Sequence, residues 1–114
     1  MATRNDSLVI QQGTTQGFLW PIVDASGNPV DVTGWTVRSQ VRAIPSAEVV
    51  LHEWSNANAN VTLDPSGVTL HVAPEDSFAW TWLRGVYNIL LTDLDDNVYE
   101  IAQGSVSVDP SITR

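Results

Sequence analysis

The chain has 114 residues, 43% of them hydrophobic, with five tryptophans and no cysteine. That length fits one domain able to bury a sizeable core, and the absence of thiols excludes disulfides, thiol catalysis and thiolate metal sites. Thirteen carboxylates against five arginines and no lysine give a formal net charge of −8, a surface that repels phosphate backbones and anionic membranes, so neither nucleic acid nor membrane is expected as a partner.

The opening "MATRNDSLVIQQ" has no apolar stretch of signal-peptide length, and no run approaches a membrane span. Strands are expected at Leu8–Gln12 and Gly17–Val23, the second carrying Trp20 on one face with Phe18 and Ile22. Pro21 has no N–H to give a ladder, which predicts an edge strand or a bulge there. "DASGNP" and "DVTG" then read as turns. In "WTVRSQVRA" strict alternation places Trp35, Val37, Ser39, Val41 and Ala43 on a buried face and Thr36, Arg38, Gln40 and Arg42 on a solvated one. Further strands are expected at Val49–Trp54 and Val61–Leu63. After the turn "DPSG", "GVTLHV" sets Val68, Leu70 and Val72 against Thr69 and His71.

"APEDSFAW" is the one helical signal. Pro is tolerated in a first turn, and Glu75 and Asp76 suit the positive end of the helix dipole. A short helix near residues 74–80 is expected, leading into "LRGVYNILL", whose inward set is Tyr87, Ile89 and Leu91. That Gly-x-Tyr step resembles the tyrosine corner of immunoglobulin-like sandwiches, with Ile89 where antibody domains carry a cysteine. Near the end the inward parity changes from Tyr99 and Ile101 to Val106 and Val108, and Gly104 between them is the expected site of a bulge or bend. Many short strands with regular breaks predict an all-β sandwich or barrel; the resemblance to the tyrosine corner supports two packed sheets, an Ig-like β-sandwich of about seven to nine antiparallel strands. The domain is expected over residues 7–109, flanked by an N-terminal arm, 1–6, and a C-terminal arm, 110–114.

Candidate chemistry is sparse. Asp93, Asp95, Asp96 and Asn97 in "TDLDDNVY" crowd oxygen ligands as a calcium loop does. An EF-hand starting at Asp93 would need Gly at its sixth position and Glu at its twelfth, where Val98 and Gly104 stand. "VDASGNPV" shares the Asp-x-x-x-Asn spacing, so two hairpin tips explain both stretches, with calcium near Asp93, Asp95 and Asp96 as the alternative. "HEWSN" lacks the second His of a zinc helix, and Ser66 in "DPSG" lacks a nucleophile elbow. Glu53 and Asp64 show no glycosidase spacing. The expectation is a protein that is not an enzyme and has no cofactor. Trp80 and Trp82 are the remaining signal. Together with Arg84 they are candidate partner-binding residues, since indole and guanidinium groups anchor interfaces, and they equally suit the capping of one end of the sandwich.

Three segments in order, "LVIQQGTTQGFLWPIVDASGNPVDVTGWTVRSQVR", "VTLDPSGVTLHVAPED" and "GVYNILLTDLDDNVYEIAQGSVSVDPSITR", resemble a family of short proteins encoded by tailed bacteriophages, over nearly the whole chain from Leu8. The departures are Asp96, where Gly is common, and the long middle "IPSAEVVLHEWSNANAN". The resemblance implies an Ig-like or baseplate-upper-protein-like sandwich made in the bacterial host and carried in the virion. It implies a non-enzymatic accessory part that binds other virion proteins and copies of itself, as capsid decoration or in the tail and baseplate. The alternative is a carbohydrate-binding module built on Trp80 and Trp82. Edge strands and the two arms would offer pairing surfaces to neighbours.

Overall fold

The computed structural model describes residues 3–113; the parts of the two arms formed by Met1, Ala2 and Arg114 lie outside the described residues. The described strands are β1 (Arg4–Asn5), β2 (Leu8–Gln11), β3 (Gln16–Trp20), β4 (Thr36–Arg42), β5 (His52–Ser55), β6 (Val61–Asp64), β7 (Gly67–Val72), β8 (Arg84–Thr92) and β9 (Val98–Asp109), with one helix, α1 (Pro74–Phe78). They form two sheets. The larger runs β1-β9-β8-β4-β5 with β2 also on β9, and the smaller runs β3-β7-β6. These are the neighbour relations of strands G-F-C-C′ and B-E-D in immunoglobulin-type sandwiches, so the protein is an all-β, Ig-like two-sheet sandwich.

Alternation decides which face is buried. Val37 and Val41 from β4, Val68, Leu70 and Val72 from β7, and Tyr87, Ile89 and Leu91 from β8 all point into the core. Leu8, Ile10 and Trp20 join them, and Trp54 is the largest fully buried side chain. Ala43 differs from expectation: β4 ends at Arg42, and Ala43 is exposed. β3 stops at Trp20, before Pro21, and lies at an edge of the smaller sheet, as a residue without an N–H requires.

Two expectations near the ends of the chain are corrected. The parity change in β9 occurs at Ile101, not at Gly104. Ile89 faces Ala102 while Leu90 faces Glu100, which leaves Ile101 as the extra residue of a bulge, and Ile101 and Ala102 are both buried. Gly104 has a different reason: a methyl group there would overlap the carbonyl of Asp6. Tyr87 forms no local tyrosine corner either. Its hydroxyl donates to the carbonyl oxygen of Asp6 at 2.7 Å, a residue 81 positions away.

Those contacts belong to the N-terminal strand, which pairs parallel to β9 rather than antiparallel. Arg4 is opposite Ala102 and Asn5 opposite Gln103; then, beyond Asp6, Leu8 to Gln11 run opposite Val106 to Asp109. Arg4, Asn5 and Asp6, placed in an arm by the sequence, are therefore bonded to β9 of their own chain. The outer edge of β5 is also occupied from within. The Asn60 side chain accepts from the Ser55 N–H and donates to the Glu53 carbonyl, both at 3.0 Å, filling the place of a neighbouring strand.

The close approach at Gly104 sets a prediction. Gly104→Ala forces the Asp6 segment off β9 and lowers stability in urea unfolding by about 1–3 kcal/mol, the usual cost of overpacking. An unchanged midpoint would show that this approach does not constrain the fold.

Candidate functional site

The predicted partner-binding residues follow α1. The helix starts with Pro74 in its first turn, carries Glu75 and Asp76 there, ends at Phe78 and is capped by Ala79, whose N–H bonds back to the Asp76 carbonyl. The next stretch is held by Gln12, whose side-chain amide donates to the carbonyls of Phe78 and Trp80 at 3.3 and 3.4 Å. Trp80 and Trp82 are brought together: their rings stack at 4.7 Å with an interplanar angle of 29°. The stack continues inward through His52, 4.9 Å from Trp80, to Trp54, which meets the imidazole edge-on at 4.6 Å. Both outer tryptophans are half-buried, and Phe78 and Leu83 beside them in sequence are exposed. Arg84 opens β8, is exposed, and takes no part in the ring contacts.

Two polar atoms in this ladder, His52 Nε2 and Trp82 Nε1, are buried without a hydrogen-bond partner. Burial pushes the His52 imidazole below its usual 6.5, against the opposing pull of the Asp76 and Glu53 charges. An unpaired neutral nitrogen costs less there than a charged ring would. A shallow hollow of about 500 Å³ opens beside His52 and Trp80, walled by Glu53, Glu75, Asp76 and two asparagines. Among the described residues no three His or acidic side chains converge as metal ligands would. His71, expected on the outer face, is exposed there, with its Nε2 2.6 Å from the Thr62 hydroxyl.

The Asp93 turn and the Asp24 turn are the same structure. In each, Asp Oδ1 accepts two backbone N–H groups, from Ser26 and Asn28 in one and from Asp95 and Asn97 in the other. In each, the Asp N–H bonds to the Asn carbonyl four residues on. The left-handed position is Gly27 at φ 83° in the first and Asp96 at φ 65° in the second. Asp93 Oδ2 is also engaged, by the Asn97 amide at 3.2 Å and the Tyr99 hydroxyl at 3.1 Å. Burial works to raise the Asp93 carboxyl, but the bonds from Asn97, Asp95 and Tyr99 outweigh it and hold the group below the usual carboxylate range. Both carboxylate oxygens thus serve the turn.

A third arrangement was not foreseen from the sequence, because it depends on strand register. Glu53, Gln40, Asn88, Gln103 and Asn5 are direct cross-strand neighbours over β5, β4, β8, β9 and β1. They form a straight polar row across the outer face of the larger sheet. The Gln40 amide donates to Glu53 at 3.1 Å and accepts from Arg42 at 2.8 Å, while the Gln103 amide donates to Asn5 at 3.2 Å. Asn88 donates to Glu100, one step off the row, at 3.1 Å. Hydrogen bonds from Arg38 and Gln40 hold Glu53 below the usual carboxylate range. Only the alternation of β4 hinted at this face.

No family model matches the chain, and no curated protein matches it. Among solved structures it aligns with Drosophila OTK, extracellular domains 3-5, at 13% identity and a TM-score of 0.44, over 96% of this chain and 34% of that one. The chain thus spans about a third of the length of that structure.

The shared turn geometry predicts the effect of one substitution. Asp96→Gly removes the left-handed strain of a non-glycine residue, offset by the greater freedom of glycine in the unfolded chain, and raises stability by about 0.5–1 kcal/mol. Thermal unfolding of the variant checks this; a lower midpoint would mean that Asp96 is held by something other than the turn.

Proposed function

We propose that the protein is a non-enzymatic structural accessory part of a tailed-phage virion, binding repeated neighbours on the head as decoration or on the tail and baseplate. The sequence resemblance from Leu8 onward suggests the setting. The observation that carries the mode of action is the half-exposed Trp80–Trp82 stack, flanked in sequence by exposed Phe78, Leu83 and Arg84. Stacked indoles backed by His52 and Trp54 are already rigid, so a partner that covers them pays little ordering entropy. Aromatic and arginine side chains in such a setting carry a large share of interface energy.

Docking through this end suits the rest of the molecule. The β9 and β5 edges are filled by the protein's own N-terminal strand and by Asn60, so those two edges are closed to strand addition by a neighbour. The net charge of −8 keeps free copies apart until a specific contact forms. A carbohydrate-binding module using Trp80 and Trp82 as two sugar platforms is the weaker reading. Each indole covers one face of the other and His52 packs on Trp80, leaving at most the outer face of Trp82 for a sugar ring.

The test is mass spectrometry of purified particles of the phage that encodes the chain. The protein is expected in the particle, and Trp82→Ala, folded in isolation, is expected to weaken its attachment by about 2 kcal/mol or more, the scale of an interface anchor. Particles that lack the protein while infected cells contain it would refute the reading.

A further inference from the structure

The polar row borders a hollow of about 570 Å³ on the outer face of the larger sheet, lined by Asn5, Gln40, Arg42, Asn88, Glu100 and Gln103, with Pro45 and Val86 as its apolar part. That volume lies within the range of small-ligand sites, about 300–1,000 Å³. The amide side chains are hydrogen-bonded to neighbours before any ligand arrives. Asn88 is held through its Nδ2 by Glu100 Oε2, and Gln103 through its Nε2 by Asn5 Oδ1. This leaves Asn88 Oδ1, Gln103 Oε1 and Glu100 Oε1 as acceptors, and the Asn5 Nδ2 group with the second N–H of Asn88 and of Gln103 as donors. Three of the five Arg42 N–H groups are used on the wall: the guanidinium donates to the carbonyls of Ala47 and Glu48 at 2.6 and 3.0 Å and to Gln40 at 2.8 Å. These bonds tie it to the 43–50 loop.

We propose that this hollow binds a neutral, hydroxyl-rich ligand, a saccharide. Each hydroxyl can donate and accept, which matches carboxamide ends that present both acceptors and N–H donors. An anionic ligand is disfavoured by a chain of net charge −8 and by the Glu100 carboxylate in the hollow. A cationic ligand is disfavoured by that same Arg42, which offsets Glu100. What remains is an uncharged molecule that both donates and accepts, recognised by amides already hydrogen-bonded to their neighbours. The site is on the sheet face, not on the tryptophan stack, and it stands independently of the docking reading.

The experiment is a glycan array of neutral hexose and N-acetylhexosamine oligosaccharides, probed with the wild-type protein, Asn88→Ala, Gln103→Ala and Trp82→Ala, each checked for an unchanged melting midpoint. At least one neutral glycan is expected to be retained. For that glycan, Asn88→Ala and Gln103→Ala are each expected to weaken binding about tenfold, the scale of one lost hydrogen bond at its upper range, and Trp82→Ala to leave it unchanged. Titration of the wild type with the retained glycan is expected to shift the backbone amide signals of Gln40, Asn88 and Gln103. Retention of no neutral glycan, or binding that survives Asn88→Ala and fails in Trp82→Ala, would overturn the proposal.

Discussion

Asp6 is the point on which the two sheets and the N-terminal strand depend together. Its N–H donates to the Gln103 carbonyl at 3.0 Å, and its own carbonyl accepts from the Tyr87 hydroxyl. Its carboxylate accepts from the Trp20 indole at 2.9 Å and meets Arg4 at 3.4 Å. Trp20 belongs to the smaller sheet, Tyr87 and Gln103 to the larger, and the Trp20 and Tyr87 rings lie 6.4 Å apart. One such bond nets about 0.5–1.5 kcal/mol, but a buried donor left unpaired costs about 1–3 kcal/mol. The indole N–H and the phenol therefore make Asp6 harder to displace than a terminal residue paired only at a sheet edge. The phenol is held accordingly: burial and the nearby Asp6 charge push Tyr87 up to about 12.

This arrangement decides which surfaces are left for biology. An N-terminal strand seated on β9 takes the edge that would otherwise template pairing with another chain. With Asn60 doing the same for β5, contacts with neighbours fall to the ends and faces of the sandwich and to the β3 and β6 edges of the smaller sheet. One end presents the tryptophan stack. The outer face of the larger sheet presents the polar row, with Arg38, Arg42 and Arg84 on the same strands, while Asp24, Asp93, Asp95 and Asp96 sit in turns. The two surfaces differ in chemistry, apolar and aromatic against polar and amide-rich, and so suit different kinds of ligand.

The inward faces were legible because alternation is local: Val68, Leu70 and Val72, or Tyr87, Ile89 and Leu91, need no knowledge of their partners. The equivalence of the Asp24 and Asp93 turns was legible for the same reason, since an Asp that binds the N–H groups two and four residues ahead writes its geometry into five residues. What depended on register or on distant contacts was not legible. The parity change between Ile101 and Val106 was visible, but Gly104 drew the bulge to itself, although its real neighbour is Asp6, nearly a hundred residues away in sequence. The Gly-x-Tyr step likewise suggested a local bond where the hydroxyl reaches the N-terminal strand. The polar row needed four pairings at once, and no single strand of it looks unusual.

The account rests on the N-terminal strand being an integral part of the fold, which native-state hydrogen exchange measures residue by residue. The amides of Asp6 and Gln12, which donate to Gln103 and Asp109, are predicted to exchange as slowly as those in the centre of β8, through opening of the whole domain. Exchange orders of magnitude faster at these two positions, at the rate of a fraying end, would contradict it.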